Sequence, residues 1–292
     1  MRFPLLRAIR PRQWPKNAFV FAALVFAPKL GDPVAVFRSF LAFVAFCLAA
    51  GSVYLINDIR DVDQDRLHPR KRFRPIAAGE ISIQAAWGYA GLFFLAAAGL
   101  AVYLDLRFAI VIAGYILMNI VYSFYLKNEV ILDVLILAIG FVLRVYGGGL
   151  AIDVEVSSYL WLCTILLAML LALGKRRHEI LMLEDAESHR AILREYSPLL
   201  LEQMMAVMTA STLMAYVLYT QDSHGVVQEG RMIWTVPFVI YGIFRYLYLI
   251  HKKDKGGDPA ELLLEDWRMQ LNVLLWLIVS IAVIYFLPDG GL

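Results

Sequence analysis

Residues 34–56, VAVFRSFLAFVAFCLAAGSVYLI, run directly into Asn57-Asp58-Ile59-Arg60-Asp61-Val62-Asp63-Gln64-Asp65. A helix needs about 20 mostly apolar residues to cross the hydrocarbon region of a bilayer, and this run has that length. It ends in four Asp residues within eight positions, 58 to 65. An apolar span that delivers clustered carboxylates to its own end decides both the fold class and where chemistry is to be sought.

Eight further stretches share the apolar character: 15–30, 82–104, 108–126, 130–151, 157–174, 202–221, 232–250 and 269–287. The whole chain has 292 residues, 61% of them hydrophobic and 18% charged, with a mean hydropathy of +0.66. Ordinary soluble domains are about 45–50% apolar and about 25% charged. These values exclude a disordered chain, a fibrous repeat, a coiled coil and a soluble globule. Lipid offers no partners to open backbone groups, so the spans are expected to be helices rather than barrel strands. The expected fold is all-α, with nine transmembrane helices forming one domain over residues 1–292.

Charge placement gives the expected topology. The N-terminal segment and the second, fourth, sixth and eighth loops hold 21 of the 27 Lys and Arg residues. By the positive-inside rule these face the cytoplasm, and nine spans leave the C-terminus outside. The plasma membrane is the expected location. The first twenty residues contain Pro11, Pro15 and five basic residues without an apolar stretch and cleavage site, so no removable signal peptide is expected. Cys47 and Cys163 fall inside spans and read as small apolar fillers. Residues 175–196 carry apolar residues at helical spacing among charges of both signs, as an amphipathic interfacial helix would.

Asn57, Asp61 and Asp65 are spaced i, i+4, i+8. A continuing helix is expected to set them along one face over about 12 Å, at about 1.5 Å per residue. Carboxylates and an amide without a thiolate suit a hard divalent cation that also takes phosphate oxygens, which points to Mg2+. The competing reading is a solvated loop of mixed charge. The register joined directly to a membrane span weighs against it.

The Asn-x-x-x-Asp-x-x-x-Asp register resembles the first motif of the UbiA superfamily of intramembrane prenyltransferases. That resemblance implies a nine-helix bundle around a central cavity open to the cytoplasmic side. It assigns Asn57, Asp61 and Asp65 to Mg2+ and a substrate pyrophosphate, with Asp58 beside them. A usual member has a second Asp-x-x-x-Asp motif after its sixth helix. Here the chain reads Ala172-Leu173-Gly174-Lys175-Arg176-Arg177-His178-Glu179. Three cations replace the acidic cluster, a change that a substrate with more phosphate charge would explain.

The departure is similar to one branch of the superfamily, the polyprenyl-phosphate phosphoribosyltransferases. So are Arg10-Pro11-Arg12-Gln13-Trp14-Pro15-Lys16-Asn17, Tyr122 through Lys127 with Leu132-Asp133-Val134, Gly140 through Arg144, and Gly256-Gly257-Asp258-Pro259. The branch implies transfer of a 5-phosphoribosyl group from phosphoribosyl pyrophosphate to a polyprenyl phosphate such as decaprenyl phosphate, towards decaprenyl-phosphoryl arabinose and cell-wall arabinan. It implies membrane lipids as surroundings and no nucleic-acid partner, and it leaves oligomeric state open.

Candidate substrate-binding residues are Asp58, Lys16, Arg72, Arg74, Lys127, Asp133, Arg144, Lys175, Arg176 and Glu179. Arg144 stands out because a charge well inside a span is costly and usually faces protein or water. Lys175 and Glu179 are i, i+4 partners. Gly147-Gly148-Gly149 lacks the residues of a P-loop and reads as a close helix contact. Two other readings compete. One is an aromatic prenyltransferase using an isoprenyl diphosphate, against which the missing second acidic motif counts. The other is a non-catalytic lipid-binding or transport bundle.

Overall fold

Asp32, Ser82, Asp105 and Asp266 each accept backbone N–H groups of the turn that follows, and each starts a long helix. Such caps satisfy donors that a helix start leaves open. The computed structural model describes residues 3–69, 71–182, 191–221, 231–252 and 259–286. Short α1 (Pro4–Ala8), a 3-10 run (Pro11–Phe21) and α2 (Ala22–Phe26) come first. The central helix α3 (Pro33–Arg60) is followed by α4 (Val62–Leu67), α5 (Ile83–Leu104), α6 (Leu106–Phe124), α7 (Leu132–Ala151) and α8 (Ser158–Met182). Then come α9 (Pro198–Gln221), α10 (Val236–Lys252), α11 (Pro259–Glu265) and α12 (Trp267–Tyr285).

Among the described residues eight helices are long and apolar enough to cross a membrane. The protein is an integral membrane protein. The two innermost helices are α3 and α7, with 61% of each membrane window buried against 17–33% in the others. Ala42, Ala45, Ala49, Ala50 and Gly51 let α3 pack closely on its neighbours, and Ser52 Oγ donates to the Ala90 carbonyl of α5 at 2.9 Å. At the opposite end from the acidic stretch, Arg38 donates to the last carbonyls of two helices, Ala151 at 2.5 Å and Leu104 at 2.6 Å.

The expected first span, 15–30, takes a different form. Pro15 lies within the 3-10 run, and only the five residues of α2 continue it as α-helix. Eleven residues at about 2.0 Å and five at about 1.5 Å still give a reach of about 30 Å. The segment touches both ends of the bundle. Arg10 is bonded to Asp58 near the end of α3, and the Leu30 amide donates to Tyr285 Oη at the end of α12 (3.0 Å).

The triple glycine is a close contact, as the sequence suggests. A Cβ on Gly148 would lie 2.0 Å from the Val20 carbonyl oxygen, and one on Gly147 would lie 3.0 Å from the Phe46 and Phe108 rings. The absent side chain at Gly148 is what brings the 3-10 run against α7. The expected interfacial helix over 175–196 is corrected in part: α8 continues through Lys175 to Met182, and a short 3-10 turn follows at Ala191–Arg194. Residues 183–190 of that stretch, and Gly256 to Asp258, lie outside the described residues. Both cysteines are free, as expected.

Candidate active site

The ends of α3, α6 and α8 and the starts of the 3-10 run and α7 surround a cavity of about 390 Å³. Its walls carry Arg10, Lys16, Arg144 and Lys175, and among the described lining residues no Asp or Glu. Asn57, Gln13, Asn119, Tyr115 and Tyr122 add polar groups, while Val53, Met118, Phe141 and Leu171 make the rest apolar. Arg144 stands twelve residues along α7 from Leu132, or about 18 Å in at 1.5 Å per residue. Basic groups therefore occur at two depths, around the helix ends and near mid-bundle.

Arg144 is buried, with 7% exposure. Its Nε donates to Asn17 Oδ1 (2.8 Å), Nη1 to the Gly140 carbonyl (2.7 Å) and Nη2 to Tyr115 Oη (2.8 Å). The guanidinium lies 4.8 Å from the Tyr115 ring centre and 5.5 Å from that of Phe141, a cation–π setting.

The acidic stretch is arranged differently from the expected single face. Asp61 N donates to the Asn57 carbonyl (3.0 Å) and Asp65 N to that of Asp61 (2.8 Å), so helical bonding persists where α3 passes to α4. At 3.6 residues per turn, each i+4 step turns the side chain by about 40°. Asp65 is thus about 80° from Asn57 and only about 20° from Asp58. Asp58 and Asp65, each 2% exposed, accordingly share one cation: Arg74 Nη1 donates to Asp58 Oδ1 (3.1 Å) and to Asp65 Oδ2 (2.6 Å). Arg10 also bonds Asp58 (2.5 Å). Asp61 is held by Arg60 at 2.7 Å. Among the described residues no three acidic, His or Cys side chains converge on one point.

Arg10 joins the two halves of the site, since it lines the cavity and binds Asp58. Its backbone has φ 52°, a left-handed conformation unusual for a non-glycine residue. The side chain lies over the Tyr54 ring at 4.8 Å.

Of the expected site residues, Lys16, Asn57, Arg144 and Lys175 reach the cavity wall and the rest do not. Arg176, 1% exposed, is bonded to Asp133 Oδ2 (2.5 Å), to Glu179, and to Tyr122 Oη (3.3 Å). Two carboxylates neutralise it, so Asp133, Arg176 and Glu179 form a buried network behind the wall. Glu179, expected as the partner of Lys175, also accepts from Arg176. Tyr196 Oη closes that network, donating to Asp133 Oδ1 (2.8 Å) and accepting from Ile131 N (2.7 Å). Burial, with Asp133 beside it, pushes the Tyr196 hydroxyl up to about 12. Arg72 is exposed and lies over the Phe73 ring, and Lys127 belongs to the short 3-10 turn Leu126–Asn128. Arg10, Asn17, Tyr115 and Asn119 belong to the site without having been expected there. The first two stand in the quoted Arg10–Asn17 stretch. The other two sit in an apolar span with nothing to mark them.

Decaprenyl-phosphate phosphoribosyltransferase of Mycolicibacterium smegmatis is 36% identical over 97% of this chain and 92% of its own length. The protein of the same name from Corynebacterium glutamicum is 35% identical over 97% of this chain and 87% of its own. A solved UbiA homolog from Archaeoglobus fulgidus, bound to GPP and Mg2+, superposes with a TM-score of 0.74 at 21% identity, covering 97% of this chain and 99% of that one. The UbiA prenyltransferase family model matches residues 17–274. The chain belongs to the UbiA prenyltransferase family.

Proposed function

We propose that this protein transfers the 5-phosphoribosyl group of phosphoribosyl pyrophosphate to a polyprenyl phosphate, decaprenyl phosphate by analogy with its named relatives, and releases pyrophosphate. The carrying observation is a membrane-embedded cavity with basic side chains at two depths and no described acidic lining residue. Two phosphate-bearing substrates meeting in one apolar-walled space call for such a lining. An aromatic prenyltransferase needs only one diphosphate site and leaves the deep Arg144 without a ligand.

In the reaction the bond from the anomeric carbon to pyrophosphate breaks, and its electron pair leaves on the pyrophosphate. An oxygen of the lipid phosphate forms the new bond to that carbon. A phosphate monoester is already anionic near neutral pH, so no strong general base is required. The protein's part is positioning and electrostatic stabilisation. Arg10, Lys16 and Lys175 hold the donor's phosphates near the helix ends, and Arg144 receives a further phosphate deeper in. Tyr115 and Phe141 exclude water around it.

The carboxylates Asp58, Asp61 and Asp65 and the amide of Asn57 are hard oxygen donors of the type Mg2+ takes, and Arg74 between Asp58 and Asp65 marks a place where positive charge is already held. Asp58 and Asp65, which share one cation, are the pair that would hold the ion. Bound there, Mg2+ would neutralise charge on the departing pyrophosphate. By the positive-inside rule the basic residues at the cavity mouth favour a cytoplasmic setting for that end. With the 3-10 segment as a crossing, nine passages then leave the C-terminus outside.

The test gives purified protein ribose-labelled phosphoribosyl pyrophosphate, polyprenyl phosphate and Mg2+, with a parallel mixture of isoprenyl diphosphate and an aromatic acceptor. Label entering the lipid phase in the first mixture alone is the expected result. Prenyl transfer in the second mixture, without ribosyl transfer in the first, overturns the assignment.

A further inference from the structure

Two arginines among the described residues are almost fully buried, and they are held in opposite ways. Arg176 is bonded to two carboxylates, Asp133 and Glu179. Arg144, among the described residues, is bonded to neutral oxygens alone: the Asn17 amide, the Gly140 carbonyl and the Tyr115 hydroxyl. A buried arginine with a structural role is normally matched by an acid, because an uncompensated buried charge is costly. Arg144 is held in a fixed orientation, yet its charge is left unneutralised by any described carboxylate. Of its five N–H groups, three are used, which leaves one on each terminal nitrogen of a group that lines the cavity.

The clamp is built by backbone register. Asn17 and Val20 are one turn apart on the 3-10 run, where residues three apart stack over one another. Arg144 and Gly148 are one turn apart on α7. The close approach of Val20 to Gly148 therefore aligns Asn17 with Arg144. Asn17 is 2% exposed and is not part of the cavity wall. Arginine Nε only donates, so the Asn17 oxygen must face it. The amide nitrogen is then turned to Cys47 Sγ, to which it donates at 3.1 Å. The amide has no freedom to flip.

We infer that Asn17 is a positioning residue that fixes the Arg144 guanidinium towards the cavity, and that its being an amide rather than a carboxylate keeps the Arg144 charge available to a substrate phosphate. This rests on the phosphate chemistry proposed above. The phosphate belongs to the sugar donor or to the lipid acceptor, and the experiment separates the two.

Asn17→Asp, Asn17→Ala and Asn17→Ser are compared with the parent full-length protein in detergent. Binding of inorganic pyrophosphate is measured by calorimetry, KM for each substrate is measured separately, and a thermal midpoint is recorded. Asn17→Asp keeps the shape and the acceptor, so it retains or raises the midpoint. By neutralising Arg144 it weakens phosphate recognition at least about tenfold. Asn17→Ala loosens the guanidinium and weakens recognition several-fold, and Asn17→Ser restores part of it. Losses in pyrophosphate affinity and in KM for phosphoribosyl pyrophosphate assign the phosphate to the donor. A loss confined to KM for polyprenyl phosphate assigns it to the lipid.

A merely structural asparagine gives the reverse order, with Asn17→Asp close to the parent and Asn17→Ala the worst. That order, or unchanged affinities and KM values in Asn17→Ala, overturns the inference. If Asn17→Asp fails to fold, the alanine and serine variants decide. A parent that binds pyrophosphate in this order but transfers no ribosyl label leaves the clamp standing and refutes the proposed reaction instead.

Discussion

Replacing Gly148 with Ala tests how the first segment is seated. The added Cβ would stand 2.0 Å from the Val20 carbonyl oxygen, with the Val20 carbonyl carbon and Cα at 2.9 and 3.1 Å. These are backbone atoms, so no side-chain rotation relieves the clash. Ordinary contact begins at 3.4 Å, and the 3-10 run must retreat by about 1.4 Å. Overpacking of this kind costs about 1–3 kcal/mol. The retreat has a second effect, because Asn17 lies one turn away on the same face. Its 2.8 Å bond to Arg144 would stretch to about 4 Å, beyond hydrogen-bonding range. Gly148→Ala should therefore lower the thermal midpoint and also raise KM for whichever substrate Arg144 receives. Gly88→Ala, whose Cβ meets nothing within 4 Å, is the matched control in α5 and should do neither. A Gly148→Ala protein with parental midpoint and kinetics refutes the packing argument.

Three further outcomes are expected. Arg74→Ala strips the shared cation from two carboxylates that are each 2% exposed. Breaking a fully buried pair costs about 3–5 kcal/mol, and the loss here is smaller because Arg74 is 29% exposed and Asp58 keeps Arg10. In a thermal scan Mg2+ should recover more of that loss than it adds to the parent, and a loss indifferent to Mg2+ contradicts the shared-site argument. Asp61→Asn and Asp65→Asn should abolish ribosyl transfer in protein that stays folded, and chelation should do the same to the parent; transfer that survives both removes the metal from the scheme. Tyr196 must keep its proton to donate to Asp133, and its folded value, about 12, exceeds the usual 10.0. The tighter hold on the proton in the folded state means its stabilisation is complete below pH 10 and lost as pH rises towards 12. Tyr196→Phe should be less stable at neutral pH yet lack that alkaline loss, as midpoints across the range will register.

Much of this site is legible in the sequence because apolar runs and clustered charge are local signals. The acidic register at the end of α3, the close contact at Gly147–Gly149 and the deep Arg144 all follow from residue types at short spacing. What escapes is set by geometry between distant segments. Pro11 and Pro15 hold the first span in a 3-10 form that periodicity at 3.6 does not describe. The 40° drift per i+4 step separates Asp65 from Asn57 and groups it with Asp58. Arg176 reads like a phosphate ligand until Asp133, 43 residues away, neutralises it. Arg10 reads like a topology signal until α3 is seen to deliver Asp58 beside it.

The acidic stretch and the basic cavity are proposed to form one substrate site. A structure determined with Mn2+ in place of Mg2+ and with phosphoribosyl pyrophosphate tests it most directly. Anomalous signal is expected beside Asp58 and Asp65, with the donor's phosphates inside the cavity against Arg10, Lys16 or Lys175. Metal and sugar phosphate bound on separate surfaces, or a cavity that stays free of phosphate at saturation, would contradict it.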